Sequence, residues 1–351
     1  MREMEPTASH RVITPRPLNA EARPEALRDE LTPAGRFFIR SNFPTPSLDG
    51  DGHRIEIGGA VERPVAIEVG ELRGFPLRQL TVTTECAGNG RTGLAPTPAG
   101  EPWGYGAVST ARWGGVPLRE VLDRAGVRPE AVEILARGGD RGRKDGTGEI
   151  PFARALPLDK ALDPDTLLAL EVNGAPLPPE HGAPVRLLVP GWYGMASVKW
   201  LSRLEAVTEP FTGYFQQDRY IYDYGDGADP EPVTTMRVRS MITEPGEGAA
   251  LERGTVRIRG WAWSGSGAVT RVEVATEGGD GWRDATLGEP GSPYAWQPWS
   301  FDWEAAEPGV HILRSRATDE AGNVQPDRAR WNRHGYGNNA VRPISVEVGG
   351  S

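Results

Sequence analysis

The chain contains one cysteine, Cys86, in the segment ECAGNGRTG, directly after the strand-like run QLTVTTE. A lone cysteine is more often a small buried hydrophobe than a reactive group. Here the neighbours favour chemistry. Ala87, Gly88, Asn89 and Gly90 are small enough for a bulky ligand to approach the backbone, and the charge of Arg91 lowers the cost of a thiolate, the form that binds a soft metal. A single cysteine also excludes an internal disulfide and every multi-cysteine zinc, iron–sulfur or haem-attachment pattern.

Other patterns fail on context. Gly88, Gly90 and Gly93 spell a dinucleotide-binding G-x-G-x-x-G after a strand, but that fingerprint needs a helix to start on its glycines and receive the pyrophosphate. Pro96, Pro98 and Pro102 forbid one. No phosphate-binding loop, H-E-x-x-H or G-x-S-x-G occurs. Asp223, Asp226 and Asp229 have the wrong spacing for an EF-hand and read as a solvated acidic loop.

The elements that must hold Cys86 follow from composition and period. At 351 residues the chain exceeds one ordinary core, so two are expected. With 45 glycines and 32 prolines, nearly twice the usual share, turns and short strands should dominate over helices. A net charge of −9 repels polyanions, which disfavours nucleic acid as a partner. No run reaches the roughly 18 apolar residues of a membrane span, so no membrane partner is expected. The start, MREMEPTASHRVITPRP, lacks a signal core or twin arginine and reads as cytoplasmic, or periplasmic if a leader has been removed.

Three regions are expected. Residues 1–36 form an extended arm with a short helix over Pro24 to Glu30. Residues 37–228 form a mixed α/β domain, with strands over His53 to Gly59, Gln79 to Glu85, Ala131 to Arg137 and Pro184 to Pro190. Its clearest helix is PLREVLDRAG, which starts at Pro117, presents Leu118, Val121, Leu122 and Ala125 on one face and stops at Gly126. The composition of Tyr222 to Val233 is that of a linker, and the boundary falls near Asp229. In residues 229–351 the period becomes two, with strands over Thr255 to Trp263, Val269 to Gly279, Gly281 to Leu287, Ser300 to Ala305, His311 to Asn323 and Ile344 to Val348, the spacing of an immunoglobulin-like sandwich. Seven of the 11 tryptophans lie there and are assigned to core and interface packing.

The segments ECAGNGRTG, WGYGAVSTARWGGVPLREVL and LLALEVNGAPLPPEHGAPVRLLVPGWYGMASVKWLSRLE resemble the catalytic domain of the sulfite oxidase family of molybdenum enzymes. AWSGSGAVTRVEV, AGNVQPD and WNRHGYGNNA resemble that family's immunoglobulin-like dimerisation domain, so the likeness runs from about Phe37 to Val348. It implies an α+β protein with one molybdopterin cofactor, no haem in this chain, and Cys86 as the metal's protein ligand. Carried over by position, Arg40 and Arg91 would line an oxyanion pocket, a task that suits guanidinium through paired charge-assisted hydrogen bonds. Trp103 would wall the pocket, and Tyr220 would stand beside the metal's oxo ligand. Asn42, His181, Arg186, Ser197 and Lys199 would bind the pterin and its phosphate. Each also has a plainer reading: salt-bridge arginines, a loop-anchoring tryptophan, a strand-end lysine beside Trp200.

This chain departs from the family pattern at four places. His334 stands where a third pocket arginine is usual, Asn42 where histidine is common, Ala196 where arginine is common, and Gly90 where many members have a further arginine. The expectation is therefore an anion pocket with less fixed positive charge, in which His334 contributes only when protonated. The leading function is oxidation of sulfite to sulfate by oxygen-atom transfer, in a homodimer that passes electrons to an external acceptor such as a cytochrome. The alternatives are the same centre working reductively on nitrate or a sulfoxide, and a non-catalytic binding protein of the same fold.

Overall fold

The computed structural model describes residues 10–276 and 281–349. Residues 1–9 of the expected arm, the end of the strand expected to reach Gly279, and residues 350–351 lie outside these. The protein is built mostly from strands, with three short α-helices among the described residues: Val69–Leu72, Leu118–Ala125 and Leu158–Leu162.

The first half holds two five-stranded sheets. In one, Arg78–Glu85 pairs with Val108–Pro117, which pairs with Leu167–Val172; Ala175–Pro176 and Arg186–Leu188 flank the last. The other runs Val65–Glu68, Arg54–Gly59, Leu201–Val207, Glu133–Arg143, Glu149–Pro157. All its pairs are antiparallel except Arg54–Gly59 with Leu201–Val207. Helix Leu118–Ala125 buries Leu118, Val121, Leu122 and Ala125 in the main core and ends at Gly126 in a left-handed conformation, φ 69°.

The second half is a sandwich. Arg239–Glu244, Gly254–Trp263, Gln297–Ala305 and Thr286–Leu287 form one sheet; Ala249–Leu251, Ile344–Val348, Gly309–Asp319, Val269–Ala275 and Arg283–Asp284 form the other. Period-two alternation turns Ile258, Trp299 and Trp303 of the first and Val272, Leu313 and Val346 of the second into one shared core, as an immunoglobulin-like sandwich requires. Arg239–Glu244 was not foreseen, because its residues are buried almost throughout and show no alternation.

Two expectations are corrected. The N-terminal segment is a hairpin, His10–Pro15 with Leu18–Ala22, and the expected helix is a single 3-10 turn, Pro24–Ala26. The hairpin was illegible because its buried residues include Asn19 and Glu21, which are satisfied by hydrogen bonds rather than by apolar contact. The acidic stretch after Tyr222 is not a free linker: Ile221–Tyr222 pairs with Glu231–Pro232, and Asp223 and Asp226 are bonded to Arg333 and Arg330.

Tryptophans close the contact between the halves. Trp261 and Trp296 stack with centroids 4.8 Å apart and donate to the carbonyls of Leu27 and Glu30, while Trp263 donates to Glu85 at 3.0 Å. Among the described residues no helix is long and apolar enough to cross a membrane.

Candidate active site

Cys86 is buried at the end of strand Arg78–Glu85, where its amide donates to the carbonyl of Ala107 at 2.9 Å and its carbonyl accepts from Asn89 at 2.8 Å. The turn that follows needs its glycines. Gly90 has φ 82°, and a Cβ there would lie 2.9 Å from Arg239 Nη2, so a larger residue would be strained and would have to displace that guanidinium. At Gly88 a Cβ would lie 2.8 Å from Arg91 Nη2 and 2.9 Å from Trp103 Cδ1. Its absence lets guanidinium and indole close on the loop. Only a 3-10 turn follows, Arg91–Gly93, so the glycine pattern begins no α-helix.

One cleft gathers most of the expected residues: Cys86 with Arg40, Asn42 and Tyr220, and His181, Arg186, Ser197 and Lys199. Arg40 is aimed from the N-terminal side, where it donates to Asn19 Oδ1 at 3.2 Å, to Asn42 Oδ1 at 2.6 Å and to the carbonyl of Ser41. Asn42 Nδ2 in turn donates to the Tyr220 hydroxyl at 3.2 Å, so an amide links guanidinium to phenol where histidine was the common family residue. Burial pushes the Cys86 thiol pKa up, and the Arg40 and Arg91 charges and the Gly88 amide oppose it. Burial also opposes the charge of Arg40, but Tyr220, Cys86 and Tyr336 outweigh it and hold the guanidinium more firmly protonated.

Elsewhere in the cleft, positive charge is present without carboxylates in salt-bridge contact among the described residues. Arg186 donates to the carbonyls of His181 at 3.1 Å and Ser197 at 2.9 Å, and burial lowers its pKa to about 10. Lys199 Nζ donates to Ser41 Oγ at 2.9 Å and to the carbonyl of Glu180 at 2.7 Å; burial and then Arg186 drive its pKa well below the usual lysine value. It is therefore no strand-end surface charge. Buried Asp140 lies near enough to act on Lys199, and burial raises its own pKa to about 6. Among the described residues the buried His181 Nε2 has no hydrogen-bond partner, and burial followed by Lys199 and Arg186 lowers the ring's pKa to about 3. Among the described residues neither Arg40, Arg186 nor Lys199 is salt-bridged to a carboxylate. Ser197 is turned to the backbone, its hydroxyl accepting from the Val189 amide at 3.0 Å.

A second group stands beside the cleft. Arg91 donates to the carbonyls of Glu101 at 2.6 Å and His334 at 3.1 Å and lies 5.2 Å from the centre of the Tyr336 ring. Tyr336 stacks on Tyr220 at 5.2 Å and on His334 at 5.8 Å, which joins this group to the cleft. Trp103 is fully buried and packs in the cluster that holds Cys86, Phe37 and Phe38. His334 is half-buried, its Nδ1 3.5 Å from Arg219 Nη1, and burial and then Arg219 lower its pKa below the usual histidine value.

Sequence reading missed Asn19, Asp140, Arg219 and Tyr336. Arg219 and Tyr336 sit inside FQQDRYIY and WNRHGYGNNA, each one or two residues from a residue that was singled out. Arg219 places a further positive charge beside His334, its Nη1 3.5 Å from the ring's Nδ1.

Among known proteins, the oxidoreductase molybdopterin binding domain matches residues 42–215 and the Mo-co oxidoreductase dimerisation domain matches residues 231–348. Mitochondrial sulfite oxidase of Rattus norvegicus is 37% identical over 362 residues, 96% of this chain and 65% of that protein. Sulfite oxidase of Gallus gallus is 37% identical over 350 residues, 93% of this chain and 75% of that one. The chain thus spans about two thirds of the length of its mammalian relatives. Among solved structures, the sulfane dehydrogenase SoxCD of Paracoccus pantotrophus superposes with a TM-score of 0.85 at 32% identity, covering 95% of this chain and 85% of that one.

Proposed function

Because the chain belongs to the sulfite oxidase family of molybdopterin-binding oxidoreductases, we propose that its cleft holds a molybdenum–pterin group and oxidises sulfite to sulfate. The observation that carries this reading is that Arg40 shares the cleft with the Cys86 thiol and Arg91 stands beside it, near enough for both charges to act on the thiol, so that anion-binding donors meet a soft-metal ligand.

The residues fit such a group. An anionic organic phosphate would supply a salt-bridging partner for Arg186 and Lys199, the latter acted on by Asp140 without a salt bridge, and a partner for the unbonded His181 nitrogen, and Asn42 and Ser197 line the same cleft. Cys86 would be the protein's ligand to the metal. When bound, the group supplies two-electron oxygen-atom chemistry that side chains cannot perform. Overall, sulfite and water give sulfate, two protons and two electrons, and the electrons leave to an external acceptor such as a cytochrome.

The chain's own residues bind, orient and move protons. Arg40 and Arg91 hold the sulfite oxygens and fix the sulfur lone pair towards the cleft. Tyr220, whose hydroxyl accepts from Asn42, is placed to donate to the anion or pass a proton. Trp103 backs Arg91 and keeps that side dry. The sandwich, matched by the dimerisation model, would form a homodimer, with the catalytic domain ending near Asp229. Elemental and pterin analysis of the purified protein, followed by turnover with sulfite against nitrate and methionine sulfoxide, tests the reading. It requires stoichiometric molybdenum and sulfite-dependent electron release; turnover in the reducing direction alone would replace it.

A further inference from the structure

We propose that Arg219 is a substrate-anion ligand, acting as a pair with Arg91 across the mouth of the cleft, and that His334 positions it. This rests on the oxyanion reading above and deepens it by naming the residue that sets affinity for a doubly charged substrate.

The placement begins in the local backbone. Residues Phe215–Arg219 form one π-helical turn that ends at Tyr220, a local irregularity of the kind often found at functional sites. The turn presents Arg219 and Tyr220 consecutively beside the cleft. A Cβ on Gly100 would lie 3.2 Å from Arg91 Nη1 and 3.3 Å from Arg219 Nη2, which puts those two nitrogens within 6.5 Å of each other. Two charge-assisted bonds of roughly 2.8 Å to different oxygens of one tetrahedral oxyanion span such a gap.

Arg219 has no structural task that would otherwise explain it. Among the described residues no carboxylate forms a salt bridge with it, and Asp223, four residues on, is taken by Arg333 at 3.2 Å. Among the described residues its side-chain hydrogen-bond partner is the His334 Nδ1 at 3.5 Å, and an imidazole nitrogen facing a guanidinium serves as acceptor only while it is neutral. Two unneutralised guanidiniums held this close repel each other, a cost that a shared dianion removes. The ring of Tyr336, stacked on both Tyr220 and His334 and lying under the Arg91 guanidinium, links the neighbours of Arg219 to Arg91.

The test is calorimetric binding of sulfate, which does not turn over, to the molybdenum-loaded full chain, alongside the separate kcat and KM for sulfite. Arg219→Met should weaken sulfate binding at least tenfold and raise KM more than it lowers kcat, with molybdenum content unchanged. Arg219→Lys should retain part of the affinity. His334→Arg in the Arg219→Met background should recover part of it, because a guanidinium would return to the same space. Arg333→Gln removes the same unit of charge two residues from Gly335 but from an exposed ion pair, and should change affinity less than twofold. If Arg219→Met binds sulfate as the wild type does, or if it and Arg333→Gln lose affinity equally, the inference is overturned while sulfite oxidation stands. If the loaded wild type binds neither sulfate nor sulfite, the oxyanion reading fails and takes this inference with it.

Discussion

Glu85 and Arg239 form a buried ion pair, Oε1 to Nη1 at 2.7 Å, that ties the residue before Cys86 to the first strand of the sandwich. Asn89 Nδ2 donates to the same carboxylate at 2.9 Å and Trp263 Nε1 at 3.0 Å. The loop that presents the thiol is thus held from both halves of the molecule, and the second half takes part in shaping the site.

Removing one partner of such a pair leaves an uncompensated buried charge. Arg239→Met is expected to destabilise the protein by about 3–5 kcal/mol. Adding Glu85→Gln should restore much of the loss, since glutamine still accepts from Asn89 or Trp263. Denaturation midpoints of the two single variants and the double variant check this; equal losses in all three would show that the pair contributes through packing alone.

That pair also marks where the sequence stopped being legible. Helix Leu118–Ala125 could be read because its burial follows a 3.6 period between a proline and a glycine, and the sandwich strands because theirs follows a period of two. Cys86, Arg40 and Tyr220 stood out through their motifs. Asn19, Glu85 and Arg239 did not, because a polar residue buried by hydrogen bonds to distant partners has no local periodicity to reveal it. Arg219 was hidden differently: charge next to a recognised tyrosine reads as surface, and only the turn at Phe215–Arg219 directs it inward.

Lys199 should show opposite effects with and without cofactor. In the cofactor-free protein, burial places its pKa well below the unfolded value, so its charge destabilises the fold at neutral pH and the penalty fades as pH rises towards about 10.4. Lys199→Met is therefore expected to resist denaturant at least as well as the wild type when cofactor-free and to flatten the rise of stability with pH. The same variant should carry less pterin and molybdenum. Unchanged cofactor content would remove Lys199 from the binding set.

His334 is uncharged at neutral pH, because burial and then Arg219 lower its pKa, with Arg333 and Arg91 in the same sense and Asp223 opposed. Sulfate remains a dianion across this range, so its affinity should be flat above about pH 6.5 and strengthen only below it, as bound anion draws a proton onto the ring. His334→Gln should abolish the acid-side gain and leave the neutral-pH affinity within a few fold. A wild-type profile that is flat down to pH 5 would place His334 away from the anion.

Tyr220→Phe removes the hydroxyl that accepts from Asn42 while keeping the stack on Tyr336. If that hydroxyl moves a proton or bonds the reacting anion, kcat for sulfite should fall by roughly a hundredfold. Sulfate affinity should change much less. Loss of sulfate affinity with kcat preserved would reassign the phenol to binding.

The most direct measurement is molybdenum-edge X-ray absorption on the wild type and Cys86→Ser, paired with sulfite turnover. Serine conserves the volume of the buried site but is neither soft nor ionised enough to replace the thiolate. The expected result is one fewer sulfur neighbour of molybdenum in the variant, with pterin retained and sulfite oxidation abolished. An unchanged sulfur shell with near-normal turnover would contradict the assignment of Cys86 as the metal's ligand and, with it, the site proposed for this chain.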